Sequence, residues 1–482
     1  MKKRNISSYR VLEDVQMERI HERSMDMLGK LGVEVLGDEA RRLFADAGCP
    51  VDRNRVYLPR KLVHEAISLK QDEIALYSRT GKRVAFQQDE IHVHNMGGAT
   101  GIIDGETGAL RDANRQDCID MIKVLDGLDI VDNLVTPVYP QDIDQRLSLF
   151  YANKEALKYT TKPLDISGAG SITEAELTYE MLMLFRKSEK EMAEKPLSFA
   201  FISPVSPLIL GKDETEIMIY LVKKGLPVCC TPCPITGLTA PVTMLGGLTL
   251  QNAEMLATFV LARLVDPEAK MIYCARLCSA DLAKGIVVVG TPNEAVCSAA
   301  AVQMAQYYGL PADVYGAGTN AIMGDQQMAF EKMMEIILPA WAGAHNLSGV
   351  GDISKGIAMS YEQMVIDAEI FSAALHSLTA LQDDEIDLGF EAIKDKINQG
   401  TEIIMHGNTL EYMRSRELYA KNRKLVNYED YSMWINAEKK TIMEKAKIKV
   451  GEMIKSHQQV LDEDQEKELE KIFRFGREKL LK

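Results

Sequence analysis

Excess positive charge is what this sequence is short of. Lys and Arg number 56 against 70 Asp and Glu, a formal net charge of −14 over 482 residues. Nucleic acids and anionic membrane surfaces are bound by basic faces that displace counterions, so neither is expected as a partner. Long hydrophobic runs are missing too. Nothing approaches the roughly 18 apolar residues of a membrane span, and no apolar stretch follows Lys2, Lys3 and Arg4 as it would in a secretory signal. The eight Cys, at 49, 118, 229, 230, 233, 274, 278 and 297, lie mostly in apolar surroundings. That suits reduced, buried thiols rather than a disulfide framework, and a soluble cytoplasmic protein is expected. Several catalytic signatures are absent. There is no G-x-S-x-G elbow and no P-loop, and the GAG at 168–170, the GAG at 316–318 and the GVG at 349–351 lack the third glycine of a dinucleotide fingerprint. Apolar residues at 46% and charged residues at 26% are ordinary globular composition, which excludes a disordered chain, a collagen-like fibre and a small disulfide scaffold.

What is present is alternation. Residues 1–90 read as an irregular α+β region, with helices over MERIHERSMDMLGKLGV and DEARRLFADAG and short β-like pieces, IALYSR and RVAFQ. From 91 to 380, short apolar runs at 91–95, 131–138, 163–167, 197–203, 226–232, 270–275, 312–317 and 345–350 alternate with helical stretches at 114–127, 144–157, 172–187, 213–224, 241–264, 292–308, 325–343 and 361–378. Start signals are clear in places. Ser171 with Glu174 forms a capping-box pattern, and Thr291, Pro292 and Glu294 combine a cap, a first-turn proline and an N3 carboxylate. Eight strand–helix pairs predict an α/β fold, a (β/α)8 TIM barrel, with an open doubly wound sheet as the rival. The Lys- and Glu-rich tail, 381–482, reads as helices packed on the barrel, or as a surface for a partner.

In such a barrel the site lies at the C-terminal strand ends. His94, Tyr139, Phe201, Tyr273, Arg276, Tyr315, Asn320 and Asp352 fall there, with Tyr361 just beyond, and the glycine-bearing loop 315–325 includes Gly324. His92-x-His94 with Asp352 is similar to half the ligand set of a barrel metallohydrolase, but the fifth and sixth strand ends, TPCP and YCAR, carry no His. Cys230, Cys233, Cys274 and Cys278 could be four thiolates from adjacent strand ends, or small buried hydrophobes. The expectation is that no metal is held. No catalytic acid, base or nucleophile stands out.

Four segments carry a resemblance that runs from about residue 10 to the C-terminus: GGATGIIDGETGALRDANRQDCIDMIKVLDGLDIVD (97–132), SPVSPLILGKDETEIMIYLVKKGLPVCCTPCPITGLTAPVTMLGGLTLQNAEMLA (203–257), VVGTPNEAVCSAAAVQMAQYYGLP (288–311) and GTNAIMGDQQMAFEKM (318–333). Together they resemble the trimethylamine methyltransferase family of corrinoid-dependent methyltransferases. The resemblance implies a TIM barrel that moves a methyl group from a methylated amine to the cobalt of a separate corrinoid protein. The family's trimethylamine branch carries pyrrolysine in the loop after the seventh strand. Here that loop holds only standard residues, with Gly324 near the place. The chain therefore resembles the non-pyrrolysine branch, whose substrates are quaternary amines such as glycine betaine, proline betaine and carnitine.

Chemistry agrees with that division. A quaternary nitrogen is already cationic, so its methyl group is an electrophile and the leaving group a neutral amine. The protein need only exclude water and align the reacting atoms, with no general acid. A trimethylammonium head has no N–H and is held by aromatic faces and diffuse negative charge. Tyr139, Phe201, Tyr273, Tyr315 and Tyr361 are the candidates, with Tyr273 and Tyr315 on adjacent strand ends expected to line the pocket. Arg276 or His94 could hold a substrate carboxylate. None of the eight His has Asp two residues before it, so the D-x-H-x-x-G of a base-off corrinoid domain is absent and the corrinoid is expected on a partner protein. A homo-oligomer is expected. Two other readings remain at this point: a metal-dependent barrel hydrolase, and a betaine-binding protein without catalysis.

Overall fold

The computed structural model describes residues 9–86, 90–165, 169–379, 388–413, 425–436 and 439–482. Its centre is a curled parallel sheet whose strands fall inside the apolar runs of the sequence. They are β1 (His92–Asn95), β2 (Leu134–Val135), β3 (Leu164–Asp165), β4 (Ala200–Ile202), β5 (Val228–Cys230), β6 (Met271–Ala275), β7 (Ala312–Tyr315) and β8 (Asn346–Val350). Each is followed by a helix: α1 (Arg115–Asp126), α2 (Gln145–Tyr159), α3 (Ile172–Met183), α4 (Lys212–Lys223), α5 (Met244–Val265), α6 (Pro292–Tyr307), α7 (Gln326–Ala342) and α8 (Tyr361–Ser377). The sequence places the third strand over 163–167; residues 166–168 lie outside the described residues.

Six strands form one hydrogen-bonded parallel sheet in the order β4-β5-β6-β7-β8-β1. β2 and β3 pair in parallel beside it. A bridge between His94 and Asn133 joins β1 to the start of β2. The Leu164 N–H of β3 donates to the Leu197 carbonyl, just ahead of β4, at 3.0 Å.

Several helix starts are fixed by side-chain caps. The Ser171 side chain accepts from the Glu174 N–H, and Thr291 accepts from the Glu294 N–H with Pro292 in the first turn. Both N3 glutamates reach one residue past the cap. Glu174 accepts the Gly170 N–H at 2.7 Å, and Glu294 accepts the Gly290 N–H at 2.6 Å. Asp325 caps α7 through the N–H groups of Gln327 and Met328.

The N-terminal region is tied to this sheet rather than set apart from it. A hairpin of Ala75–Tyr77 and Arg83–Ala85 brings Ile74, Leu76, Val84 and Phe86 against Phe199, Cys229, Ile272 and Cys274. Phe86 also meets His92 edge-on at 5.7 Å between ring centroids, which fixes the hairpin at the end where β1 begins. Strand Val33–Val35 pairs in parallel with Ile209–Leu210 beyond β4. At the other terminus, helix Ile442–Ser456 packs on α8 and α1, and helix Glu463–Leu480 packs on α2 and α3. No helix among the described residues is long and apolar enough to cross a membrane.

Candidate active site at the strand ends

Side chains alternate along a strand, so the i, i+2 spacing sends His92 and His94 to the same side. His92 is the deeper of the two. Its Nε2 lies 2.8 Å from the Ala85 carbonyl and its Nδ1 2.9 Å from Asp132 Oδ2, so both nitrogens are committed. Above it, His94 Nδ1 lies 3.0 Å from the Asn95 carbonyl, and Nε2 lies 3.4 Å from Asp313 Oδ2.

Asp313 is the hub of the interior. It pairs with Arg276 through Oδ1 and accepts from Asn346 Nδ2 at 2.8 Å through Oδ2. Asp313 is 1% exposed and Arg276 5%. Burial alone would raise the Asp313 carboxyl, but the adjoining Arg276 and His94 outweigh it and hold the group well below the usual carboxylate range. The guanidinium of Arg276 lies 5.0 Å from the centre of the Tyr315 ring, a cation–π contact that covers one face of that ring. His94, Arg276 and Tyr315, three of the residues chosen from the sequence, therefore do come together, around an aspartate the sequence reading passed over.

Acidic and aromatic side chains also lie in or just after β2, β3 and β4. Phe201 stacks on Phe199 at 6.2 Å. Tyr139 lies against Gly98, where an added Cβ would come within 3.2 Å of its ring. Burial first, then the charges of Asp165 and Glu174, push the Tyr139 phenol up to about 12. Asp165 is buried at the end of β3.

Two expected residues organise loops instead of facing the interior. The Asn320 side chain spans to the Val289 backbone, accepting its N–H and donating to its carbonyl. Asp352 accepts the Thr319 N–H at 3.3 Å and the Gly356 N–H at 2.7 Å, so it knots the loops after β7 and β8. Burial raises its carboxyl to about 6. Glu331 completes the knot by accepting from the Thr319 hydroxyl at 2.6 Å and the Asn320 N–H at 2.9 Å. Gly324 sits at the rim, its N–H on the Gly105 carbonyl, and a Cβ there would strike Met443.

Tyr273 is a correction. It was expected at the mouth beside Tyr315, but the two are on strands offset in register, with Tyr273 opposite Ala312. Tyr273 points the other way, stacks on Tyr308 at 6.3 Å and donates to Asn252 of α5 at 3.0 Å, within the sheet–helix layer. Tyr361 stands at the outer edge, where its hydroxyl donates to Asp117 at 2.9 Å. The four-thiol set is likewise not assembled. Cys230 faces α5, where Thr258 lies against its thiol, while Cys229 and Cys274 turn inward beside Asp313. Asp313, Asp165 and Asn346 were missed although each had a signal, a polar side chain inside an otherwise apolar strand run.

The family model described as trimethylamine methyltransferase (MTTB) matches residues 1–478. The trimethylamine methyltransferase MttB of Methanosarcina barkeri is 31% identical over 456 residues, covering 92% of this chain and 90% of that one. A protein named glycine betaine methyltransferase, from Desulfitobacterium hafniense strain Y51, is 27% identical over 446 residues and 90% of each chain. Among solved structures, the Methanosarcina barkeri monomethylamine methyltransferase (MtmB) aligns at 12% identity with a TM-score of 0.48, covering 91% of this chain and 94% of that one.

Proposed function

The chain belongs to the trimethylamine methyltransferase family, and from that premise we propose that it demethylates a quaternary amine of the betaine type, such as glycine betaine, proline betaine or carnitine, at the C-terminal end of a closed (β/α)8 barrel. The ring of parallel strands, continued by the His94–Asn133 bridge and the Leu164–Leu197 hydrogen bond, supports the barrel. The observation that carries the substrate reading is the charge of the buried Asp165 acting on the Tyr139 ring; with Phe201 of β4 we take these as an acidic, aromatic wall. Such a wall suits a cation with no N–H to donate: ring faces and a nearby carboxylate attract it without a directed hydrogen bond. Since one face of Tyr315 is already covered by Arg276, Tyr139 and Phe201 take the ammonium head. The charge on Arg276 is largely spent on Asp313. A substrate carboxylate at this end would be held by the remaining guanidinium N–H groups.

The methyl acceptor is a corrinoid on a separate protein, which supplies a cobalt nucleophile when docked. The chain's own task is to bind the ammonium head, orient one methyl group outward and keep water from the line of transfer. The C-terminal face fits a partner of that kind. The loops after β1, β4, β5, β6, β7 and β8 each expose a large apolar side chain, Leu110, Val205, Leu238, Leu282, Ile322 and Ile357 respectively. Apolar side chains spaced around one opening mark a docking rim.

The test is a screen of methylated amines with reduced corrinoid protein, following loss of the cobalt(I) absorbance. A trimethylammonium acid should be demethylated and trimethylamine should not. Efficient turnover of trimethylamine would sink this reading. Tyr139→Ala and Phe201→Ala should each raise KM by a factor matching about 1–2 kcal/mol.

A further inference from the structure

We propose that Cys229, Cys274 and Asp313 form a site for a thiophilic divalent cation, zinc by the nature of its donors, in the interior of the sheet below the strand ends. Their donor atoms all lie within 4.8 Å of one another, and all three residues are buried. They come from three neighbouring strands. Cys274 is the direct partner of Asp313, and Cys229 pairs with Ile272, two residues before Cys274. That register bears on what the thiols can do. Strands about 4.8 Å apart with a rise of about 3.3 Å per residue put the Cys229 and Cys274 Cα atoms roughly 8 Å apart, beyond the reach of a disulfide. Two thiolates on one tetrahedral ion, with metal–sulfur bonds of about 2.3 Å, stand about 3.8 Å apart and are not so limited.

His94 supplies an independent pointer. Its Nδ1 lies 3.0 Å from the Asn95 carbonyl, which only accepts. Nε2 faces Asp313 Oδ2 at 3.4 Å. It is buried with no hydrogen-bond partner. The surroundings are arranged as an outer shell. Arg276 holds Asp313 Oδ1, and Asn346 Nδ2 donates to Oδ2 at 2.8 Å, fixing the carboxylate's plane. Charge balances as well. Binding releases one proton from each thiol and forms two zinc–sulfur bonds, so two thiolates and one carboxylate meet the dication and Arg276 offsets the remaining negative charge. Two sulfurs and a carboxylate oxygen are a donor set that selects zinc over magnesium or calcium.

The experiment uses the full chain, dialysed against zinc with a weak competing chelator, with bound metal measured by inductively coupled plasma mass spectrometry. One zinc per chain is expected. Cys229→Ser and Cys274→Ser should each weaken zinc affinity by a factor on the order of 100. Cys49→Ser, a buried thiol of the N-terminal region, should leave it unchanged. Cobalt(II) chloride offered to the metal-free wild type should give thiolate-to-cobalt charge-transfer absorption, a readout that needs no variant to fold. Absence of both zinc and that absorption in the wild type overturns the proposal. So does full zinc affinity in a double Cys229→Ser, Cys274→Ser variant whose circular dichroism matches the wild type. Metal content is read without methyl transfer, so either result stands apart from the function proposed above.

Discussion

Asp313 shows how one residue sets the character of the interior. With its side chain 1% exposed and that of Arg276 6% exposed, the pair has given up nearly all its water. Such a pair contributes little net stability over an apolar substitute, yet losing one partner strands the other. Asp313→Asn should therefore cost about 3–5 kcal/mol of unfolding free energy, read by chemical denaturation, and should free Arg276 from the face of Tyr315. Glu294 makes a different point. Burial, with the charge of Asp352 adding to it, raises its carboxyl from 4.5 to about 8. Between those values the folded chain keeps a proton that the unfolded chain has released. Stability therefore falls as the pH climbs from 4.5 to 8 and is flat in this group above that window. Glu294→Gln has no proton to lose. Its thermal stability relative to the wild type should improve across the window, with a limiting slope of about 1.4 kcal/mol per pH unit. A stability difference independent of pH would remove Glu294 as the cause.

At the scale of elements, α7 is the piece most firmly written into the sequence and most heavily used. Asp325 caps it through the N–H groups of Gln327 and Met328. Lys332, on its inner face, reaches Asp367 of α8 at 2.8 Å and the Gly349 carbonyl of β8 at 3.4 Å, with both side chains 0% exposed. Lys332→Met should destabilise by about 3–5 kcal/mol, and adding Asp367→Asn should recover part of the loss in the same denaturation measurement. Alternation of strand and helix was legible because each strand is a short apolar run and several helices begin with a side-chain cap, both local properties. The inward set was only half legible. His92 and His94 could be assigned to one side by spacing alone, whereas the direction of Tyr273 depended on the register between β6 and β7, which is set by contacts far apart in the chain. The same limit hid the thiols. Spacing favoured Cys230 and Cys233, but strand parity turns Cys230 toward α5 and Cys229 inward.

For the whole molecule, the net charge of −14 and the apolar rim pull in different directions. An acidic surface gives no long-range attraction to an acidic partner, so in the proposed docking of a corrinoid protein the short-range contacts at the open end decide. The exposed side chains there are suited to it. Leu238 is 49% exposed and Ile322 56%, each on a different loop and outside the buried core. Leu238→Asp and Ile322→Asp should leave the melting temperature unchanged while weakening the affinity for the cognate corrinoid protein by about tenfold or more each, since truncating a central apolar anchor typically costs more than 1 kcal/mol. Steady-state methyl transfer should fall at limiting partner concentration and recover when the partner is in excess, because the amine site beneath is untouched. The loop 318–325, which carries Ile322 and is knotted to its neighbours by Asp352 and Glu331, is rigid enough to present that side chain without an ordering cost. If isothermal titration shows the two variants binding the corrinoid protein as tightly as the wild type, docking does not take place on this face, and the methyl group must leave the protein by another route.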